Sequence, residues 1–224
     1  MKKLIKVFLI VLIVLSVAVG ALALWQRKNI EGVLIGIRET SEEIEKRREE
    51  NQSKLVGEID SYIETTLREI TPEEQKQIEE GKLQASEVYS KIFEEKHSEI
   101  GKAKEENKAA KDEIVTKYMA QLYKLQSEFT SRAEDAIKQG ARYYNETKKT
   151  QDKASARANT ITHFTPIVKA IESECDSRVN EIIKNLTNEL SLIGANTDIV
   201  GTIKASYANE KQLKLAYYSN KYLK

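Results

Sequence analysis

The sequence predicts an all-α protein: a single N-terminal transmembrane helix followed by an elongated antiparallel helical bundle or coiled coil. Three observations carry this expectation. Val7 to Trp25 is a run of 19 residues without a charge. Beyond it, apolar residues recur at helical spacing along most of the chain. The 224 residues include only nine Gly and two Pro, little material for a turn-rich β fold. The surplus of Glu, Lys, Ala, Leu and Gln suits long helices instead.

The apolar run comes first. As a helix it would rise roughly 28 Å, close to the ~30 Å hydrocarbon core of a bilayer. Only Ser16 and Gly20 interrupt it, Trp25 suits the interface, and Arg27 and Lys28 end it. Lys2, Lys3, Lys6 and the α-amino group give the N-terminal flank a charge of +4. Residues 26–40 carry Arg27, Lys28 and Arg38 against Glu31 and Glu39, a charge of +1. The more positive flank stays in the cytoplasm, so the bulk of the chain is expected outside it. The domain reading is therefore residues 1–28 as anchor, spanning at 7–25, and 29–224 as an extramembrane helical domain. The alternative is a cleaved signal and a secreted product, with Ala21-Leu22-Ala23 as the cleavage box. The length of the run, and its continuation through Leu24 and Trp25, favour a retained anchor.

Four helices are expected downstream, at about 29–70, 72–147, 166–193 and 197–222. The first follows Ile30, Leu34, Ile37, Ile44, Leu55, Ile59, Ile63, Leu67 and Ile70, a stripe interrupted by Ser41, Arg48 and Asn51. Thr71-Pro72-Glu73-Glu74 starts the second: Thr71 caps, Pro72 loses nothing at the first helical position, and Glu74 completes a capping box. Its stripe runs through Ile100, Ala103, Asn107, Ala110, Ile114, Tyr118, Leu122, Leu125, Phe129, Ala133, Ala136, Gly140 and Tyr143, a mean step of about 3.6. Gly81 and Gly101 are its expected weak points. Residues 148–165 lose the pattern, and Thr165-Pro166 starts the third helix. That helix carries Ile167, Ile171, Cys175, Val179, Ile182, Leu186, Leu190 and Ile193 and ends at Gly194. Asn196 or Thr197 opens the last, through Ile199, Ile203 and Tyr207 to a Tyr- and Lys-rich tail.

No catalytic, cofactor-binding or metal-binding residue is assigned. Glu94-Glu95-Lys96-His97 has the Glu-x-x-His spacing of carboxylate-bridged metal bundles, but His163, the other histidine, has no Glu at that offset. Cys175 excludes an intrachain disulfide and fits the stripe as a small hydrophobe. Asn107 would set helix register if buried. A net charge of +1 argues against a general nucleic-acid binder. Charge is nonetheless segregated: residues 58–80 sum to −6, residues 138–157 to +4 and residues 199–224 to +4.

Arg47-Arg48, Leu55-Val56 and Tyr62 form a spaced set, and Ala141-Arg142-Tyr143-Tyr144-Asn145 follows later. In this order after an anchor they resemble the LemA-like membrane proteins, although Gln52-Ser53-Lys54 stands where that family has Ile-Pro-Asn. The resemblance implies a membrane-anchored antiparallel helical bundle. The expected partners are membrane lipid through residues 7–25 and a protein partner, or a second copy, through the helix stripes. The expected role is a tethered scaffold of the cell envelope without catalysis. The alternative is a secreted or tethered module that binds an anionic ligand through the basic, Tyr-rich C-terminal helix.

Overall fold

The computed structural model describes residues 27–102 and 108–223. The anchor expected at 7–25 and the register residue Asn107 lie outside the described residues. The described residues form seven α-helices and no strand: α1 Arg27–Arg38, α2 Ser41–Tyr62, α3 Pro72–Glu79, α4 Ala85–Lys102, α5 Lys108–Thr147, α6 Lys153–Leu192 and α7 Asp198–Leu223. Among them no helix is long and apolar enough to cross a membrane. The chain divides into two compact units. One comprises the residues up to Glu58 and those from Gly201, the other Ile59–Val200.

Local chemistry explains where the helices break, and it corrects three expected boundaries. The helix expected at 29–70 is interrupted at Thr40, which forms a capping box with Glu43. The Thr40 hydroxyl accepts from the Glu43 amide at 3.2 Å, and the Glu43 carboxylate accepts from the Thr40 amide at 2.7 Å. The same device starts α3 as expected: Thr71 accepts from the Glu74 amide, and Glu74 accepts from the Thr71 amide. Hydrogen bonds from the Arg68 guanidinium then draw the Glu74 carboxyl down to about 2. The helix expected at 72–147 stops at Glu79. Gly81 takes a φ of +68°, and its amide and that of Lys82 close onto the carbonyls of Ile78 and Gln77, a Schellman end that only glycine adopts without strain. Gly194, at +69°, ends α6 in the same way. The third correction is that α6 begins not at Pro166 but at Lys153. Asp152 accepts from the amides of Ala154 and Ser155, and Pro166 lies inside the helix.

In the second unit α5 is the middle helix, packed on α4 and on α6. Its contacts run antiparallel to both. Against α4, Tyr123 meets Tyr89 and Phe93, with ring centroids 5.1 and 5.7 Å apart, and the Ser90 hydroxyl donates to the Ala120 carbonyl. Against α6, Lys117 pairs with Glu189, Arg178 with Glu128 and Arg132 with Glu174. Helix α5 therefore buries two faces. The expected stripe (Tyr118, Leu125, Phe129, Ala136) is buried, and so is a second one of Val115, Met119 and Tyr123. The 40 residues of α5 and of α6 each give a helix about 60 Å long.

The connection from α2 to α3 is irregular yet packed, with Ile63 and Leu67 buried. It is held from α5. Asp112, 1% exposed, accepts from the amides of Glu64 and Thr65 and from the Thr65 hydroxyl, each at 2.9 Å through Oδ2. Its Oδ1 has no hydrogen-bond partner among the described residues. An amide in place of this carboxylate would disturb three hydrogen bonds in a dry site. Asp112→Asn is expected to cost about 1–3 kcal/mol in urea denaturation. A loss below about 0.5 kcal/mol would show that the connection is held by its apolar residues alone.

In the first unit α7 runs parallel to α1, with Glu31 beside Gln212 and Gly36 beside Asn220, and antiparallel to α2, with Ser41 beside Asn220 and Asn51 beside Ser206. Gly32 of α1 lies so close to α7 that a Cβ there would stand 2.9 Å from the Gln212 carbonyl oxygen. Asn220 donates to the carbonyls of Gly36 and Glu39. Arg48, one of the residues that interrupt the first stripe, donates to Glu210 of α7 at 2.8–3.0 Å and to Glu45 at 2.8–2.9 Å. Burial works against the Arg48 charge, but the two carboxylates outweigh it and hold the guanidinium ionised.

Candidate interaction surfaces

The residues singled out in the sequence fall in separate places. Glu94 and His97 lie on α4, where His97 Nδ1 is 3.2 Å from the Glu113 carbonyl. Cys175 is half-buried on α6, and His163 lies about three turns before it. No group of three or more His, Cys, Asp or Glu that could hold a metal occurs among the described residues. Of the residues that carry the LemA-like resemblance, Arg48 is tied to Glu210, Leu55 is buried, and the Tyr62 hydroxyl donates to the Asn196 carbonyl. Arg142 to Asn145 stand near the end of α5.

A groove of about 570 Å³ opens in the first unit between α2 and α7. Arg47, Asn51, Lys54 and Glu58 line it from α2, and Ser206 and Asn209 from α7. Its amides are occupied with one another: Asn209 donates to Asn51, and Asn51 donates to the Ser206 carbonyl. Arg47 is paired with Glu39 at 2.6 Å. The basic, Tyr-rich α7 is a packing element here. Leu213 and Ala216 are buried, Tyr207, Tyr217 and Tyr218 are half-buried, and Lys211 lies 5.8 Å from the centre of the Tyr207 ring.

The far end of the α5–α6 hairpin has different chemistry. From Lys117 to Arg132, α5 is laced to α6 by ion pairs, and the Phe129 ring lies under the guanidinium groups of Arg132 and Arg178. The hydrogen bond from the Tyr118 hydroxyl, with help from Lys117, holds the Glu189 carboxyl below its ordinary range. Past Arg132 aromatic rings take over from these ion pairs. Tyr143 stacks on His163 at 5.0 Å and 5°, Phe164 meets both edge-on, and Gly140 faces the Phe164 ring. Of eight large apolar side chains exposed among the described residues, four lie at this end: Tyr143, Ile161, Ile167 and Val168. Periodicity placed Tyr143 and Ile167 on apolar stripes but did not mark Ile161, because the pattern fades over 148–165, where α6 in fact begins. The charge excess of residues 138–157 did point there.

No protein-family model, curated protein or solved structure matches the chain.

Proposed function

We propose that the chain is a membrane-tethered, non-enzymatic helical scaffold of the cell envelope, similar in plan to the LemA-like proteins. Residues 7–25 hold it in the bilayer, the bulk of the chain lies outside the cytoplasm, and the helical units present docking faces. The observation that carries this reading is the end of the α5–α6 hairpin. There a long pair of helices packs through aromatic rings and leaves Tyr143, Ile161, Ile167 and Val168 exposed. Such exposed apolar clusters mark contact surfaces more often than they mark inert ones. The sequence contributes the tether: a span of the right length, with flank charges of +4 and +1. The secreted-module alternative rests on α7, whose Tyr207, Tyr217 and Tyr218 side chains are half-buried and so less open to a ligand.

The tether is tested by topology. C-terminal fusions to a reporter active only outside the cytoplasm should give signal, and the chain should resist alkaline extraction from membranes. A signal only from a cytoplasmic reporter, or a soluble form beginning near Leu24, would sink the reading.

A further inference from the structure

The geometry points to the end of the α5–α6 hairpin as a docking surface for an anionic phospholipid bilayer. This deepens the reading of the hairpin as a docking element. Residues 138–169 carry seven cations (Lys138, Arg142, Lys148, Lys149, Lys153, Arg157 and Lys169) against Glu146 and Asp152, a net charge of +5. From Lys153 to Ile171 there is no acidic residue.

A solvated charged face is the ordinary explanation of such a run, but two observations here go beyond it. First, the Arg68, Lys117 and Arg132 cations of this unit are matched by carboxylates of another segment: Arg68 by Glu74 and Glu95, Lys117 by Glu189, Arg132 by Glu174. At the hairpin end Arg142, Lys153 and Arg157 make no ion pair among the described residues. The pairs that do form are local, Lys149 with Glu146 and Lys138 with Asp135. Second, the cations share their surface with aliphatic groups. Ile161 is 57% exposed and Val168 42% exposed; seven residues apart, they share a face of α6, and Arg157 precedes Ile161 by one turn on it. Cations mixed with exposed aliphatic and aromatic side chains suit the boundary between headgroups and acyl chains.

Other occupants fit less well. Exposed isoleucine and valine contribute nothing to holding a polyanion in water. A second copy of the same face would set one +5 surface against another. The acidic segment of a second copy is already engaged at several points: Asp60 binds the Leu67 amide, Glu64 lies 3.8 Å from Lys111, and Glu74 is held by Arg68.

The experiment uses the full chain held in phosphatidylcholine nanodiscs. Size-exclusion chromatography first establishes that it has entered them; failure at that step counts against the tether and leaves the hairpin untouched. Immobilised vesicles of phosphatidylcholine, with and without phosphatidylglycerol, are then the probe. Binding is expected only to the phosphatidylglycerol vesicles and should weaken with salt. Each cation near such a surface is worth about fivefold, so the triple variant R142Q/K153Q/R157Q should bind on the order of a hundredfold more weakly. These exposed residues can be changed without disturbing the fold, which circular dichroism melts would verify. Ile161→Ser with Val168→Ser should also weaken binding, with the charge intact. The inference is overturned if the triple variant binds as the parent does, or if no vesicle is bound. It is also overturned if the serine variant binds fully while a soluble polyanion competes, which means charge alone. Self-association of the parent that the triple variant loses would identify a second copy as the occupant, and would overturn it too.

Discussion

Arg48→Ala is expected to destabilise the unit built from α1, α2 and α7 by about 3–5 kcal/mol, the usual cost of removing one partner from a buried ion pair. The side chains of Arg48 and Glu210 are only 18% and 10% exposed, and the guanidinium serves Glu210 and Glu45 at once. Taking it away removes a cation from beside the nearly buried Glu210 carboxylate, while Glu45, 42% exposed, keeps its water. Glu210→Ala should cost less, because Arg48 keeps its bidentate contact with Glu45. Replacing both Arg48 and Glu210 by methionine should recover most of the loss, since a buried pair exchanged for apolar groups of similar size is often neutral. Urea denaturation of the detergent-held chain measures the total. Hydrogen exchange at the amides of α2 and α7 locates it. If Arg48→Ala and Glu210→Ala prove equally harmless, the pair is a surface contact, and α7 is held by Leu213 and Ala216 alone.

The same residue shows what the sequence made legible. Arg48 read as an interruption of the apolar stripe, because a stripe is read as hydrophobic or not. Nothing local to it announces that Glu210, 162 positions away, comes to meet it. Signals confined to a few residues fared better: the Thr71-Pro72-Glu74 start of α3 and the Gly194 end of α6 stand where expected. The Thr40–Glu43 box was equally local, but it lay within a stripe that read as continuous. Pro166 misled for a physical reason. Proline suits a helix start, yet Asp152 had already supplied a cap fourteen residues earlier, and the intervening segment followed it into the helix.

The all-α class was legible because few Gly and Pro and a period near 3.6 act along the whole chain. The second buried face of α5 was not. Amphipathicity assumes a helix with one wet side, whereas α5 lies between α4 and α6 and buries Val115, Met119 and Tyr123 as well. At the hairpin end Tyr143 and Ile167 read as stripe residues, but periodicity says nothing of exposure, and both are exposed.

Leu125→Ala is expected to cost about 2–5 kcal/mol, through lost transfer energy and the cavity left behind. Leu125 is 2% exposed on the side of α5 that also buries Phe129 and Tyr118. Ser127 is the control: half-buried, and turned about 200° from Leu125 by its two-residue offset, it should give Ser127→Ala within about 0.5 kcal/mol of the parent. Because α4 and α6 of the same chain flank α5, the loss at Leu125 should not change with protein concentration. A loss that grows on dilution would mean that a second chain completes the core, since the stability of an obligate dimer depends on concentration. Negligible and equal shifts for both variants would mean that the stripe is not buried. The hairpin would then have no interface to keep its two 60 Å helices together, and its far end could not present a fixed surface to a bilayer or to anything else.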